Sequence, residues 1–253
     1  MVRLTLIILA SVLSLTVFAG QNPFSSNQED CDSGNGNMRC PPGYKLFKRA
    51  TQDRKERGWC MKYFTGNYTF FEAEAQCRCQ GGGTLSGIEN MNEQKWVKEQ
   101  AKQSFEELGI QNGGVWVGAY RRKDCFGDPA KFMKKKECAK EYQFQWTDRN
   151  TIGIEMWKHW MEGSPHNNKI GTHTEACVIM QVSREAVGTV NGKLSGTFDN
   201  RICVAWPNDN STFIQEGFIC GRPPKGGNTG YYGGGGGQIV IIGEGKPVPK
   251  KTA

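Results

Sequence analysis

Apolar positions recur with a helical period twice in the first half of the chain and collapse into short runs in the second. Phe70, Ala73 and Cys77 fall at i, i+3 and i+7, one face of a helix. Thr69 with Glu72 three residues on makes a capping box for its start, and Ala73, Glu74 and Ala75 are good helix formers. Gly81-Gly-Gly83 ends it. Cys77 lies on the buried face, where a core disulfide would reach it, and Cys79 lies on the other side. The second period runs through Val97, Ala101, Phe105 and Leu108, with Asn90 as cap, Glu93 at the third position and Gly109 as the stop. Residues 85–88 form a brief extended piece between the two. Short apolar runs predict strands over residues 59–64, 115–120, 142–146, 176–181 and 217–220. Helices early and several short strands late define an α+β fold class.

One stretch, residues 144–203, follows neither period. It reads Phe144-Gln-Trp146-Thr-Asp148, then Trp157-Lys-His159-Trp160, then Gly163-Ser164-Pro165-His166-Asn167-Asn168. It closes on Glu175-Ala-Cys177 and Phe198-Asp199-Asn200-Arg-Ile-Cys203. Its three tryptophans have no regular spacing and are separated by Gly, Asn, His and Thr. That pattern predicts a long loop over a small aromatic core, fastened at its far end by a cysteine pair. Loops of this length are usually functional or disordered, and the tryptophans argue against disorder, so a ligand is expected here. His159, His166 and His173 are seven residues apart, which on a helix would make a metal stripe. Gly163, Pro165 and Gly171 exclude that helix, and zinc is not expected.

The ends and the composition narrow the class. The chain has 253 residues. Residues 1–19 carry one charge, Arg3, before an apolar run to Phe18, with Val17 and Ala19 placed as a cleavage site. That is a secretory signal peptide cut after Ala19. As a membrane anchor the run falls short of the roughly 20 apolar residues a span needs, and Thr5, Ser11, Ser14 and Thr16 dilute it. Residues 20–39 are polar and aperiodic, a leader that contains Cys31. Residues 226–245 hold ten of the 33 glycines, and the apolar Ile239-Val-Ile-Ile242 is followed by charge, which is no lipid-anchor signal. Residues 223–253 therefore read as a flexible glycine-rich tail, leaving 40–222 as the folded domain.

Ten cysteines in an exported chain imply disulfides, and the close pair Cys77-Arg-Cys79 lacks the two-residue spacer of redox and zinc motifs. Asn67-Tyr-Thr69 and Asn210-Ser-Thr212 are glycan acceptor sequons, which fits a secreted, extracellular protein.

The formal net charge is +7, and residues 121–140 hold eight Lys or Arg against three acids, in a loop closed between Cys125 and Cys138. Such a run is either a solvated loop or a contact for anionic glycans or lipid headgroups. No stacking aromatics are interleaved with the lysines, so nucleic acid is not an expected partner. No nucleophile elbow, His-Glu-x-x-His or base–nucleophile pair is present, and no enzymatic activity is expected.

Several of these elements recur together in a known family. Phe70 with Glu72-Ala-Glu-Ala-Gln-Cys77, Gly82-Gly-Thr-Leu85-Ser-Gly-Ile88, Trp116-Val-Gly118 and Phe144-Gln-Trp146-Thr-Asp148 come first. Trp160 with Gly163, Glu175-Ala-Cys177-Val, Cys203, and Phe218-Ile-Cys220 follow in order. The chain resembles the C-type lectin-like domain in its secreted invertebrate form, over about residues 40–222. The resemblance implies two helices flanking a small antiparallel sheet, a long ligand loop and a disulfide-rich frame. It implies Cys77–Cys220 and Cys177–Cys203 in the core and Cys40–Cys60 in an amino-terminal hairpin. Cys125–Cys138 then closes the basic loop and Cys31 is left for Cys79, while the exchange of Cys77 and Cys79 stays open.

Sugar-binding members of that family hold calcium in the long loop. The matching positions here read Ser164, His166, Glu175, Asp199 and Asn200, a degenerate set in which Glu175 alone matches outright. Ser164 removes a carboxylate, His166 offers nitrogen to a hard cation, and Asp199-Asn200 is in reversed order. The expectation is no cofactor, with calcium at most weakly held. The implied function is a secreted carbohydrate-binding module for microbial or extracellular glycans. Trp160, His166, Asn167, Asn168, Glu175, Asp199 and Asn200 would then form the ligand site. The alternative is a calcium-independent module that grips a protein or anionic surface through the long loop or residues 121–140.

Overall fold

Thr69 and Asn90 start the two long helices, and their side chains explain why the helices begin there. The Thr69 hydroxyl accepts from the Glu72 amide at 3.2 Å while the Glu72 carboxylate accepts from the Thr69 amide at 2.9 Å. Asn90 Oδ1 accepts from the amides of Asn92 and Glu93. Both caps satisfy amide donors that a helix start would otherwise leave orphaned.

In the computed structural model, residues 38–50, 56–80, 83–139, 142–185, 189–190, 193–204 and 214–226 are described. The signal peptide, most of the leader including Cys31, the Asn210 sequon and the tail beyond residue 226 lie outside them. In chain order the elements begin with β1 (Lys45–Ala50), β2 (Glu56–Thr65), α1 (Phe70–Cys79), β3 (Thr84–Leu85) and α2 (Met91–Glu107). Then come β4 (Asn112–Arg121), a short α3 (Pro129–Phe132), β5 (Phe144–Trp146), β6 (Lys169–Ile170) and β7 (His173–Thr174). The last are β8 (Cys177–Ser183), β9 (Thr189–Val190), β10 (Lys193–Leu194), β11 (Phe198–Arg201) and β12 (Gln215–Arg222).

The main sheet runs β1-β2-β12-β4-β8-β11, with β3 paired to β12 and β5 to β4. It is antiparallel except at one junction, where β12 runs parallel to β4. The sequence reading expected a small antiparallel sheet and missed β1 and β11. The chain reaches β12 after all the other strands and inserts it between β2 and β4, which no local pattern announces. Arg39 and Lys225, assigned by sequence to leader and tail, exchange backbone hydrogen bonds at 2.9 Å.

Alternation along the central strands sends side chains to both faces. Val115, Val117 and Ala119 of β4, with Val178, Met180 and Val182 of β8, face α2 and its Val97, Ala101 and Phe105. Trp116 and Ile179 point the other way, to Phe70, Ala73 and Cys77 of α1. Gly118 fits between these layers because an added Cβ would run into the Leu85 carbonyl oxygen. Leu108 departs from its predicted place in the stripe: it caps α2 and is 50% exposed.

Four disulfides join Cys40–Cys60, Cys77–Cys220, Cys125–Cys138 and Cys177–Cys203. Cys77–Cys220 ties α1 to β12, across 143 residues of sequence. Cys79 is exposed and has no disulfide among the described residues.

Glu93, read from sequence as a capping residue, is fully buried. Its carboxylate takes Arg49 Nε at 2.8 Å and Nη2 at 2.7 Å. Arg49 Nη1 also reaches Asn150 and Thr151 at the start of the long loop, and Nη2 reaches the Gly87 carbonyl. Removing one partner of a buried pair strands the other charge, so Glu93→Ala should lose about 3–5 kcal/mol in guanidinium unfolding. Thr69→Ala, which removes a half-exposed cap, should lose about 1 kcal/mol. Equal losses in the two variants would show that the Arg49 charge finds other partners.

Candidate functional site

The long loop leaves the sheet at β5 and re-enters it at β8, and its first turn is built on Asp148. That carboxylate accepts from the amides of Asn150 and Thr151 and, from across the domain, the Gly87 amide at 2.8 Å. The irregular tryptophan spacing then becomes a stack. Trp157 lies 4.0 Å from Trp146 and 5.6 Å from Trp160, with interplanar angles of 19° and 14°. Phe144 sits 5.1 Å from Trp160 and Phe198 packs edge-on to it. Burial of this aromatic area anchors the loop without regular structure. Trp160 is thereby half-buried in the stack rather than displayed, and its indole Nε1 has no hydrogen-bond partner among the described residues.

Beyond Trp160 the chain turns through a cis Ser164–Pro165 bond and a two-stranded ribbon of β6 and β7. Here the structure brings the sequence-predicted residues together, mostly out of solvent. Ser164, Glu175, Asp199 and Asn200 are buried, His166 and Asn167 are half-buried, and only Asn168 is fully exposed. Their oxygens already have donors. Asp199 Oδ1 accepts from the Ser164 hydroxyl at 2.7 Å, and Asp199 Oδ2 from Gln181 Nε2 at 3.2 Å, with Arg201 Nε 3.3 Å away. Asn200 Oδ1 accepts from the His166 amide at 2.6 Å, and its Nδ2 donates to the carbonyls of His166 and Glu175. The His166 imidazole stands between the two carboxylates, Nδ1 lying 3.7 Å from Glu175 Oε2 and 3.6 Å from Asp199 Oδ1.

The residue that organises this arrangement was not singled out by sequence reasoning. Arg121, the last residue of β4, is 1% exposed. Its Nη1 donates to Gln143 Oε1 at 2.6 Å and to Asn167 Oδ1 at 2.7 Å. Its Nη2 donates to the carbonyls of His166 and Glu175, and its Nε donates to Glu175 as well. A guanidinium has five N–H donors, and all five are taken. The group also lies 4.6 Å over the Phe144 ring. Burial lowers its pKa below the ordinary guanidinium range to about 10, opposed by the charge of Glu175, so it stays cationic at neutral pH. In the sequence Arg121 was counted with the basic loop. The signal that marks it is its place two residues beyond Ala119, on the buried side of an apolar strand.

A mixed sheet flanked by two helices, with a long loop clamped over an aromatic stack beside two core disulfides, defines a C-type lectin-like domain. The family model described as C-type lectin domain-containing protein 141/158 matches residues 46–223, and the chain belongs to that family. It is 24% identical to C-type lectin domain-containing protein 158 of Caenorhabditis elegans over 194 residues, 74% of this chain and 90% of that protein. It is 26% identical to chondrolectin of Danio rerio over 171 residues, 65% of this chain and 50% of that protein. Similar solved structures include human lithostathine, with a TM-score of 0.41 and 17% identity over 73% of this chain and 90% of that one. The snake venom toxin convulxin gives a TM-score of 0.35 and 16% identity over 74% and 99%.

Arg121→Met would take the guanidinium donors from Gln143 and Asn167 and leave the His166 and Glu175 carbonyls with the Asn200 amide alone, in a dry site where each stranded acceptor costs about 1–3 kcal/mol. The expected result is a stability loss of about 3–5 kcal/mol. Hydrogen exchange should also quicken at the Glu175 amide, which now bonds the Asn168 carbonyl at 3.2 Å. Arg121→Lys should rescue little, since one ammonium cannot span acceptors set for a planar fork. Full stability and protection in the lysine variant would show that charge alone orders the loop.

Proposed function

We propose that this chain is an extracellular, calcium-independent recognition module, whose long loop is held in shape by the Arg121 guanidinium instead of a metal ion. The observation that carries this reading is the fully paired guanidinium on the loop carbonyls. The donor set beside it does not fit calcium, which takes about 6–8 oxygens. Only two carboxylates are present, Glu175 and Asp199; Asp199 already accepts from Ser164 and Gln181, and an imidazole lies between the two.

The ligand of this reading is a carbohydrate or glycoprotein, met by direct hydrogen bonds at the loop's solvent edge. His166, Asn167 and Asn168 supply that edge; the Asn167 oxygen holds Arg121, while its amide nitrogen has no hydrogen bond among the described residues. Family membership supports a binding role over catalysis. Exposed Asn67, in the turn before α1, is the glycan acceptor that agrees with an extracellular site. Among the described residues no helix is long and apolar enough to cross a membrane.

A glycan array probed with calcium and with chelator tests the proposal. Binding should be equal in both, and Asn168→Ala should weaken it without a change in melting temperature, whereas Asn167→Ala, which also takes an acceptor from Arg121, should lower both. Titration calorimetry should show no calcium binding at micromolar concentrations, and Ser164→Glu with His166→Asn should gain some. A tight calcium site in the unmodified protein, lost with Glu175→Ala, would overturn the reading.

A further inference from the structure

The described part of the excursion between β4 and β5 is closed by a disulfide over a small core of its own. It leaves and returns at a single rung, where Arg121 pairs with Phe144. At that base the Arg122 amide donates to the Gln143 carbonyl at 2.8 Å. The Arg122 side chain donates to the Tyr142 carbonyl at 2.7 Å and to Gln145 at 3.2 Å. Above it Cys125–Cys138 packs with Phe132, 3% exposed, in a small core separate from the two main ones. Asp128 caps α3 by accepting from the Ala130 amide at 2.9 Å. Around this core Lys123, Lys131, Lys134, Lys135 and Lys136 are all exposed. None of the five takes part in an ion pair or side-chain hydrogen bond among the described residues.

Unpaired lysines on a disulfide-closed, separately packed scaffold amount to more than a solvated loop. The main-chain order that a partner would otherwise have to impose is already present, which lowers the entropy cost of binding. We propose that this excursion is a second binding site, distinct from the long loop, for a linear sulfated polysaccharide. The charges lie on successive short turns instead of converging on a pocket, so they match anions repeated along a chain and not a single phosphate. Lysines act there as point charges, without the bidentate fork that one carboxylate or phosphate favours. A lipid surface fits less well. Met133, 53% exposed, is the one large apolar side chain exposed on the excursion, and membrane binding scales with buried apolar area. With Phe132 buried, no fully exposed aromatic ring offers a stacking platform for nucleic acid.

The test is retention of the full chain on immobilised heparin across a salt series. Lys134→Gln, Lys135→Gln and Lys136→Gln together form one variant. The charge-matched control changes Lys95, Lys98 and Lys102 of α2 to Gln. The excursion variant should lose at least about tenfold in affinity at physiological salt, and its log–log salt slope should fall by about one per lysine. The control should keep both. Equal losses in the two variants, or no loss in either, would reduce the excursion to net charge and overturn the proposal. Lysine-dependent binding to phosphatidylserine vesicles with no retention on heparin would overturn it in favour of a membrane. The readout is independent of calcium and of the long loop, so its failure leaves the calcium-independent reading standing.

Discussion

A guanidinium in a dry interior demands acceptors, and the long loop takes the shape that supplies them. Arg121 enters the site from the end of β4, a strand buried along most of its length, so the position of its charge is set by the sheet. Burying that charge unpaired would cost several kcal/mol, so the loop conformations that leave its five donors short of acceptors are disfavoured together. The carbonyls of His166 and Glu175 and the side chains of Asn167 and Gln143 are the set that satisfies it. Asn200 then completes the closure by bonding the same two carbonyls from the β11 side. The charge is fixed by the sheet, and the loop adapts to it.

Arg49 does comparable work at the other end of the loop. It binds Glu93 at the start of α2 and reaches Asn150 and Thr151 just past the Asp148 turn. The two ends of an irregular segment are thus each nailed to the sheet by a buried arginine, with the tryptophan stack between them. A covalently attached cation differs from a bound metal in one respect that matters for function. It cannot dissociate, so on the proposed reading loop order is set by the protein itself and not by free-ion concentration.

The two helices were legible in the sequence because caps and stripes are local signals, as Thr69 with Glu72 and Asn90 with Glu93 show. The family was legible for a different reason: its Trp, Gly and Cys positions answer to steric facts such as the close approach of Gly118 to Leu85. What could not be read was the identity of buried charges. Glu93 fitted a capping box, and Arg121 sat first in a run of basic residues, so each had a sufficient local explanation that hid its long-range partner. Trp160 also has long-range partners that its polar surroundings did not announce. Trp157, three residues away, stacks on it, while Phe144 and Phe198, 16 and 38 residues away, pack at its sides. Leu108 kept the helical period yet lost its burial, because the stripe outlasted the sheet beneath it.

The rung Arg121–Phe144 links the two sites that these residues support. On one side of it Arg121 turns inward to the long loop; on the other Arg122 turns outward and clamps the base of the basic excursion through Tyr142 and Gln145. Arg121 is the last residue of β4 and Arg122 the first beyond it, so the two side chains part where the strand ends. That parting also separates the two kinds of cation by environment. The buried one spends every donor on the protein and so shapes a surface, whereas the exposed lysines around the disulfide make no ion pair or side-chain hydrogen bond among the described residues. A basic run in a sequence therefore mixes two roles that only burial can sort, and here the boundary falls at the end of β4.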